Sequence, residues 1–519
     1  ASPVVRGWRF CTSFKNLHPS RRSANIVCGG GRFSADFVGW GIFANFAESI
    51  ERRKTKEMSQ DNTIGNSLPE GHRPDGQDIS SPAPTCQGLE SSACRDSKSS
   101  ARQDTESSAC QCMGPAVCQC SGEECSGGVP PVPAELADIA PYDDGCFREK
   151  LERLVGEEGF EHAIRFVMPD VDYPQFVQHL LAVRNQQDFQ SRIVGGFLED
   201  LARKTSDGIS MSGVENIAEG QSYTFISNHR DIVLDASFLN VCMIRAHRPI
   251  TQIAIGNNLL IYDWITDLVK LNRSFIVKRD VSKMDAVRAA QQLSSYIRYA
   301  ISSRHESVWI AQRQGRAKDS NDVTQESLAK MLALAGETKD FAANLEEINL
   351  LPVSIMYEFD PNDYLKVTEF VQRHRDPDFK KSQHDDLLSM ETGLLSPKGR
   401  IHFHFGKPIN ESLRALEGMP RIEAVHQACA LIDREIHQGY RLYPINYIAY
   451  DHLNGGSDFA GEYTEADIAR FDAYVERQMS RIDIPGGLSN AERAYGLEML
   501  LTMYANPLKN KLKAINGQE

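Results

Sequence analysis

The sequence predicts an α/β fold, in which short apolar strands alternate with amphipathic helices. Short apolar runs recur along the chain at 223–226, 252–255, 274–277, 308–311, 350–356 and 401–405. Apolar residues at three- and four-residue spacing lie between many of these runs, for example in 283–302, and this spacing is typical of helices. Charged residues follow several of the runs directly, and open α/β sheets usually bind ligands at the carboxyl ends of their strands.

The chain before the first strand divides into three parts by composition. One explanation of residues 1–57 is an upstream extension of a protein whose natural start is Met58. Residues 58–133 are rich in Cys, Ser and Gly and hold few large aliphatic side chains, so they bury too little apolar surface to offset the entropy of ordering. We predict that they are disordered. Residues 134–205 are predicted to form a helical lead-in, since Phe147, Leu151 and Leu154 follow helical spacing.

The rest of the chain is predicted to comprise an α/β domain at 206–445 and a helical tail at 446–519. A strand and a turn are expected at 209–217, and a mostly helical excursion at 363–398. Pro352 lies inside the apolar run 350–356, which suggests an edge strand or a strand start because proline cannot donate a ladder hydrogen bond. Capping boxes that begin at Thr464 and Ser489 predict helices in the tail.

The overall charge argues against a nucleic-acid-binding protein. The 519 residues carry a formal net charge of −13, whereas affinity for a phosphate backbone comes from a surplus of Lys and Arg. Any anion site must therefore be a local cluster. The apolar run 37–46 is too short to cross a bilayer, and no longer uncharged run occurs, so we expect a soluble or membrane-peripheral protein.

The cysteines suit a reducing compartment. Nine of the twelve lie in the first 125 residues, and the foldable part holds three, Cys146, Cys242 and Cys429, which is no disulfide framework. The cysteines between Cys110 and Cys125 offer ligands for a soft metal, but a repeated Glu-Ser-Ser-Ala-Cys in this part of the chain favours low complexity.

His229 is the first candidate catalytic residue. It lies at the junction between the apolar run 223–226 and a segment of helical spacing that begins at Ile232. A neutral imidazole can accept a proton from an alcohol, and a carboxylate that accepts its other N–H fixes the tautomer. Asp231 and Asp235 are both candidates for that carboxylate. The alternative is that Asp231 caps the following helix and that His229 is an ordinary loop histidine.

Two clusters of cations accompany later apolar runs. The first surrounds the run 274–277 and includes Arg273, Lys278 and Arg279, and the second follows the run 308–311 at 312–318. The carboxyl ends of successive strands can converge on one crevice, and the planar fork of Arg suits phosphate. Each cluster alone is typical of a solvated loop, but the ordered set indicates an anion site.

The four segments together resemble the four sequence blocks of the glycerolipid acyltransferases, the glycerol-3-phosphate and 1-acylglycerol-3-phosphate acyltransferase superfamily. The first block is His229 to Asp235, the second 272–279, the third 308–318 and the fourth the apolar run with Pro352. The resemblance covers about 210–410, and 401–409 is similar to the closing strand of that family. It implies a mixed sheet flanked by helices.

The resemblance also implies an activity and a site. The expected reaction transfers a fatty acyl group from an acyl thioester, of coenzyme A or acyl carrier protein, to a hydroxyl of glycerol 3-phosphate or its 1-acyl derivative. His229 is expected to be the general base and Asp235 to orient it. The acceptor phosphate is expected to be held by a set of cations, with a backbone N–H near Gly315 available to the oxyanion: Arg273, Lys278, Arg279, Arg316 and Lys318. No metal or redox cofactor is implied, and the expected place is the cytoplasm, at the inner face of the membrane.

The chain departs from the family pattern in each of the first three blocks. Five residues separate His229 from Asp235 where the family has four, so either a one-residue bulge restores the pairing or Asp231 is the partner. Lys278 stands where the second block has Arg, and Gln314 stands where the third block has Glu. The alternative function is therefore a catalytically weakened member of the fold that binds lipid or acyl carrier.

Three other patterns belong to different classes of site. Protein kinases carry the same His-Arg-Asp triplet, but they have Asn at the place of Ala236. The serine-hydrolase pattern Gly-x-Ser-x-Gly does not occur in the sequence. His402 and His404 alternate on the run 401–405, which is more typical of an exposed strand face than of a metal pair.

Overall fold

The computed structural model describes residues 130–279 and 282–517. The predictions for residues 1–57, for 58–129 and for a metal site between Cys110 and Cys125 lie outside the described residues. Within them the fold is α/β, as predicted, with a mixed sheet flanked by helices.

Seven strands form one sheet among the described residues. In chain order they are β1 Ile209–Ser212, β2 Thr224–Ser227, β3 Gln252–Gly256, β4 Ser274–Val277, β5 Val308–Ala311, β6 Leu350–Tyr357 and β7 Ile401–Phe405. Their spatial order is β1-β7-β6-β2-β5-β3-β4. Strands β6, β2, β5, β3 and β4 are mutually parallel, β7 is antiparallel to β6, and β1 is parallel to β7. Strand β2 is therefore central, and the five parallel strands share one carboxyl edge.

Six of the predicted strands agree with the observed ones to within one residue at each end, and β1 occupies the first part of the strand and turn expected at 209–217. Of the two alternatives predicted for Pro352, the edge strand is wrong, because β6 lies between β2 and β7, whereas Pro352 does lie near the start of its strand, as the third residue. The N–H of Gly406 donates to the carbonyl of Pro352 at 2.9 Å, so this carbonyl faces β7. The N–H and the carbonyl of one strand residue point to the same side, so the N–H that proline lacks would also have faced β7. The ladder with β7 begins only at Val353, opposite Phe405, so the missing N–H lies just outside it.

Helices cover both faces of the sheet. Those before the first strand are α1 Asp144–Val155, α2 Glu158–Val167, α3 Tyr173–Leu181 and α4 Gly195–Thr205. Those between strands are α5 Leu234–Arg245, α6 Asp263–Leu271, α7 Lys283–Arg298, α8 Glu326–Leu332, α9 Phe341–Glu346, α10 Asp363–Arg375 and α11 Gln383–Leu395. After β7 come α12 Asn410–Arg414, α13 Arg421–Gln438, α14 Pro444–Asn454, α15 Glu465–Ser480 and α16 Asn490–Asn516. The predicted capping boxes at Thr464 and Ser489 are present.

Alternate residues of the central strands enter two cores. Phe225 and Trp309 pack on the side of α5, whereas Ile226 and Ile310 face the opposite side, as the two-residue period of a strand requires. The core that contains Ile226 and Ile310 extends into the tail helices, where it includes residues such as Leu500. The division at residues 206 and 446 stays a prediction. None of the described helices has both the length and the apolar composition that crossing a membrane requires.

Candidate active site

His229 lies in the loop that leaves the carboxyl end of the central strand β2. Neighbouring strands β5 and β6 end on either side of it. The side chain of Asn228 fixes the start of this loop, because its amide oxygen accepts from the N–H of Ile355 and its amide nitrogen donates to the Ile355 carbonyl, both at 2.8 Å. The ring of Trp309, on β5, packs edge to face against the imidazole with 5.7 Å between centroids.

The imidazole of His229 forms a hydrogen bond with the carboxylate of Asp235. Nδ1 of His229 lies 2.8 Å from Oδ2 of Asp235, which is the second residue of α5. The carboxylate is fully buried, whereas 13% of the His229 side chain is exposed. The structure thus brings together the two residues predicted to be catalytic.

Asp235 is held as an anion. Burial works to raise the pKa of its carboxyl, but the bonds from His229 and from the backbone N–H groups of Arg230 and Asp231 outweigh burial and lower the pKa. Those N–H groups donate to Oδ2 at 2.6 and 3.0 Å. Because an ionised carboxylate only accepts hydrogen bonds, Nδ1 of His229 carries a proton, and in the neutral imidazole the lone pair is therefore on Nε2. Such an imidazole can take a proton from an alcohol.

Asp231, the other candidate partner, caps the chain that enters α5. Its Oδ1 accepts from the N–H groups of Val233 and Leu234 at 2.9 and 2.8 Å, and its Oδ2 accepts from the Asn362 amide at 2.6 Å. Burial, together with the nearby charge of Asp235, raises the pKa of Asp231. The choice left open by the sequence is therefore resolved geometrically: Asp235 pairs with His229, and Asp231 is a cap.

Arg230 anchors the same loop to the loop after β5. Its guanidinium makes two parallel bonds to the carboxylate of Asp322, at 2.7 and 2.6 Å, with both groups buried. Asp322 also accepts from the hydroxyl of Tyr440 at 2.5 Å. The backbone carbonyl of Arg230 accepts from the buried Nζ of Lys366 at 3.0 Å. Each residue of the triplet 229–231 is thus held by its own hydrogen bonds: His229 by Asp235, Arg230 by Asp322 and Lys366, and Asp231 by Asn362 and the backbone N–H groups of 233 and 234.

Arg316 is a predicted phosphate ligand whose charge acts on this loop. Its positive charge acts on the carboxyl of Asp231 and on the ammonium of Lys366, which places the guanidinium among the anchors of the loop. The residue is half-buried, and its Nη1 atom is buried without a hydrogen-bond partner within 130–279 and 282–517. Gly315 precedes it with a φ of 71°, a conformation that glycine adopts without strain. This turn carries the loop after β5 past the end of β2.

Arg279 lies over the end of β3. Its backbone N–H donates to the side chain of Asn257 at 2.7 Å, and a β-carbon at Gly256 would lie 2.8 Å from its Nε atom. Glycine at 256 therefore gives the guanidinium room at the carboxyl edge of the sheet. Strand β3 is two places from β2, so Arg279 lies at the same edge of the sheet but away from the loop that carries His229.

The other predicted phosphate ligands are engaged elsewhere. Arg273 precedes β4, so it lies at the amino edge of the sheet, where it forms an ion pair with Glu306. Its assignment to the phosphate set is wrong for that reason. Lys278, beside the edge strand β4, is bound to Asp138 and Gln292 at 2.5 and 2.9 Å. Lys318 is bound to the buried carboxylate of Glu369 at 2.6 Å.

Helix α11 covers the loop that carries His229. Gly393 approaches Asp231 so closely that a β-carbon at this position would overlap Oδ2 of the carboxylate. Just after the helix, the buried Nζ of Lys398 donates to Thr205 and to the carbonyls of Leu394 and Ser396. Burial lowers the pKa of Lys398 to about 8. The excursion 363–398 therefore forms a wall of the site.

His402 and His404 form no exposed face, contrary to the prediction. His402 is 6% exposed and His404 is half-buried, and both bond to serines of β1. Ser212 lies between them, 2.9 Å from Nε2 of His402 and 2.8 Å from Nδ1 of His404, and Ser210 lies 2.8 Å from Nδ1 of His402. Burial, followed by the charges of Arg441, His404 and Lys511, lowers the pKa of His402 to about 4.

Several residues around His229 escaped the sequence analysis. Tyr357, Asn362, Lys366 and Gly393 all contact the loop or its anchors, although they lie 122 or more positions beyond it. Hydrophobic spacing carries no information about such contacts. The sequence signal available for Tyr357 was its place at the end of a strand expected to reach the same edge.

Among known proteins, this chain is similar to solved structures alone. No protein-family model matches the chain, and no curated protein matches it. A solved structure similar to it is that of the 1-acyl-sn-glycerophosphate (LPA) acyltransferase PlsC from Thermotoga maritima, at 12% identity and a TM-score of 0.30. The match covers 55% of this chain and 95% of that one, and it concerns the fold alone.

Proposed function

We propose that the protein is an O-acyltransferase that moves a fatty acyl group from an acyl thioester to a hydroxyl of glycerol 3-phosphate or 1-acylglycerol 3-phosphate. The observation that carries the proposal is the His229–Asp235 pair at the carboxyl end of β2. A buried carboxylate holds the Nδ1 proton, which leaves Nε2 of a partly exposed imidazole as the base.

The proposed reaction proceeds by direct transfer. Nε2 of His229 removes the proton of the acceptor hydroxyl as its oxygen bonds to the thioester carbonyl carbon. The tetrahedral oxyanion is stabilised by a backbone N–H near Gly315. When it collapses, the carbon–sulfur bond breaks, and the leaving thiolate takes the proton from the imidazolium. Asp235 stabilises that imidazolium throughout, as the carboxylate does in other histidine-base sites.

Arg316 is the proposed ligand of the acceptor phosphate, with Arg279 at the rim of the crevice. The unpartnered Nη1 of Arg316 supports this assignment. A buried donor without an acceptor destabilises the folded protein, and an anionic phosphate oxygen that accepts from Nη1 would remove that cost. Lys278 and Lys318 already neutralise carboxylates and contribute less. This assignment differs from the expected set of five cations, since the structure separates them.

The donors and the cellular place follow from the same proposal. Acyl-CoA or acyl carrier protein is the proposed co-substrate, and no metal or redox group takes part. The acceptors and products are amphiphiles, so the proposed working place is the membrane surface on the cytoplasmic side, with the protein bound peripherally.

One observation supports a second candidate, a lipid- or acyl-carrier-binding protein with little catalytic power. Gln314 occupies the place of an expected Glu, and its side chain is exposed while its backbone N–H is bound by Gln325. A role that requires a carboxylate at this position is lost.

A thioester-release assay on the full-length chain separates the two candidates. We expect acceptor-dependent release of free thiol, and the His229→Ala variant should be slower by roughly two to four orders of magnitude, the usual contribution of a general base. His452→Ala, which changes a histidine of α14 with 37% of its side chain exposed, is the matched control and should keep the wild-type rate. Equal rates for His229→Ala and the wild type with both acceptors would leave the binding protein as the better account.

A further inference from the structure

The two oxygens of the Asp235 carboxylate have different kinds of partner. Oδ2 accepts three bonds from the local loop, from Nδ1 of His229 and from the N–H groups of Arg230 and Asp231. Oδ1 accepts from the hydroxyl of Tyr357 at 3.0 Å. Tyr357 is the last residue of β6, so this bond ties the carboxylate to the sheet across 122 positions of sequence.

Tyr357 can serve only as a donor in this bond. The residue is 5% exposed, and burial, followed by the negative charge of Asp235, raises its pKa well above the ordinary value, so the phenol keeps its proton. An anionic acceptor in a buried setting makes the bond strong, roughly twice as strong as one between neutral groups. It has two effects: it prevents rotation of the carboxylate away from His229, and it draws negative charge toward Oδ1.

We propose that Tyr357 is a positioning residue that sets the proton affinity of His229 through Asp235. The inference rests on the proposed function, because it assigns Tyr357 a part in tuning the base of that reaction. The hydrogen bond from the phenol of Tyr357 stabilises the negative charge of the Asp235 carboxylate, so the carboxylate stabilises the imidazolium of His229 less strongly. His229 is then unprotonated, and ready to act as base, down to a lower pH than Asp235 alone would allow.

Removal of the hydroxyl should therefore shift the titration of His229 upward. In Tyr357→Phe the carboxylate keeps its bonds at Oδ2, loses the donor at Oδ1 and becomes the stronger partner of the imidazolium. We expect a shift of roughly 0.3 to 1 pH unit, a fraction of the effect that a full charge–charge contact would have. At a pH below both midpoints the rate should fall about two- to tenfold, while KM for both substrates stays unchanged.

Tyr364 supplies a matched control. It is also buried, at 5% exposure, and among the described residues its hydroxyl has no hydrogen-bond partner, while its ring lies against the guanidinium of Arg481. Tyr364→Phe removes the same atom from a comparable environment without touching Asp235. Neither the titration of His229 nor the pH dependence of the rate should change.

The test is an NMR titration of the His229 imidazole in the full-length protein, with the resonance assigned from its loss in His229→Gln, beside the pH profile of kcat/KM. Tyr357→Phe should move both midpoints upward together. Site-specific 3-fluorotyrosine at position 357, whose phenol is more acidic and keeps the side chain's shape, should move them downward even where Tyr357→Phe folds poorly.

Two results would count against specific parts of the account. A lower rate with unmoved midpoints in both variants would make Tyr357 merely structural and overturn the inference, while acyl transfer by the wild type would stand. Shifted NMR midpoints without acyl transfer in the wild type would confirm the coupling of Tyr357 to His229 and overturn the proposed reaction instead.

Discussion

The Gly393→Ala variant tests whether helix α11 packs directly on the loop that carries His229. A β-carbon at this position would overlap Oδ2 of Asp231 and lie 2.9 Å from its Cγ atom. Helix propensity alone favours alanine over glycine by about 1 kcal/mol. Overpacking of a well-filled contact costs about 1 to 3 kcal/mol. Loss of the hydrogen bonds by which Asp231 caps Val233 and Leu234 costs about 0.5 to 2 kcal/mol more.

The collision should therefore outweigh the propensity, and we expect net destabilisation of about 0.5 to 4 kcal/mol in urea unfolding at pH 7.5. Activity should fall more than the folded fraction does, because the displaced loop carries His229. Gly196→Ala in helix α4 is the matched control, since a β-carbon there meets nothing within 4 Å, and it should be neutral or slightly stabilising.

A second variant isolates the contact. In an Asp231→Ala background the overlapping carboxylate is gone, so adding Gly393→Ala should cost little, and the two effects should be strongly non-additive. Stability of Gly393→Ala equal to that of Gly196→Ala, or strict additivity with Asp231→Ala, would refute the reasoning.

Three further predictions concern other parts of the site and the fold. First, because the pKa of His402 is lowered to about 4 in the folded chain, its contribution to stability is complete above the unfolded value of about 6.5 and is lost as the pH falls between these values, by about 2 kcal/mol at pH 5. Urea unfolding at pH 7.5 and 5 should show this loss in the wild type and less of it in His402→Gln; an equal loss in both would remove His402 as the cause. Second, Asp322→Asn breaks a buried ion pair with Arg230 and should cost about 3 to 5 kcal/mol, whereas Glu476→Gln, which breaks the exposed pair with Arg493, should cost less than about 1. Similar costs for the two, from thermal or urea unfolding, would contradict the anchoring role of Arg230. Third, Arg316→Gln should raise KM for a phosphorylated acceptor roughly 10- to 100-fold and leave KM for the thioester unchanged, while Lys278→Gln, bound to Asp138, should change neither. A larger effect of Lys278→Gln in steady-state kinetics would move the phosphate site toward β4.

Six of the seven strands in the described residues were predictable because each coincides with a short apolar run. The internal place of β6 was not, since the consequence of Pro352 depends on where the ladder with β7 begins, and that register is a property of two distant segments. The local sequence pattern determines whether a segment is a helix or a strand more firmly than it determines which strands lie beside it.

The central pair of the site was predictable, and its surroundings were not. His229 and Asp235 are six positions apart, so local chain geometry brings them together. The positions of the cations were harder to predict, because a charge beside a strand indicates a site only when the end of the strand at which it lies is known. Arg273 precedes β4 and Lys278 follows it, so the two lie at opposite ends of a strand roughly 13 Å long. The ion pair of Lys278 with Asp138 joins segments 140 positions apart, which no periodicity indicates.

The proposed function requires that the protein acylates a hydroxyl of a glycerol phosphate and that His229 acts as its general base. Its most direct test is a screen of acceptors with acyl-CoA and with acyl carrier protein as donors, in which products of the full-length wild type and of His229→Ala are identified by mass spectrometry. The account predicts 1-acylglycerol 3-phosphate or its diacyl product from the wild type, at a rate lowered roughly 10²- to 10⁴-fold in His229→Ala. Absence of both esters with either donor, or their formation at equal rates by the two proteins, would contradict it.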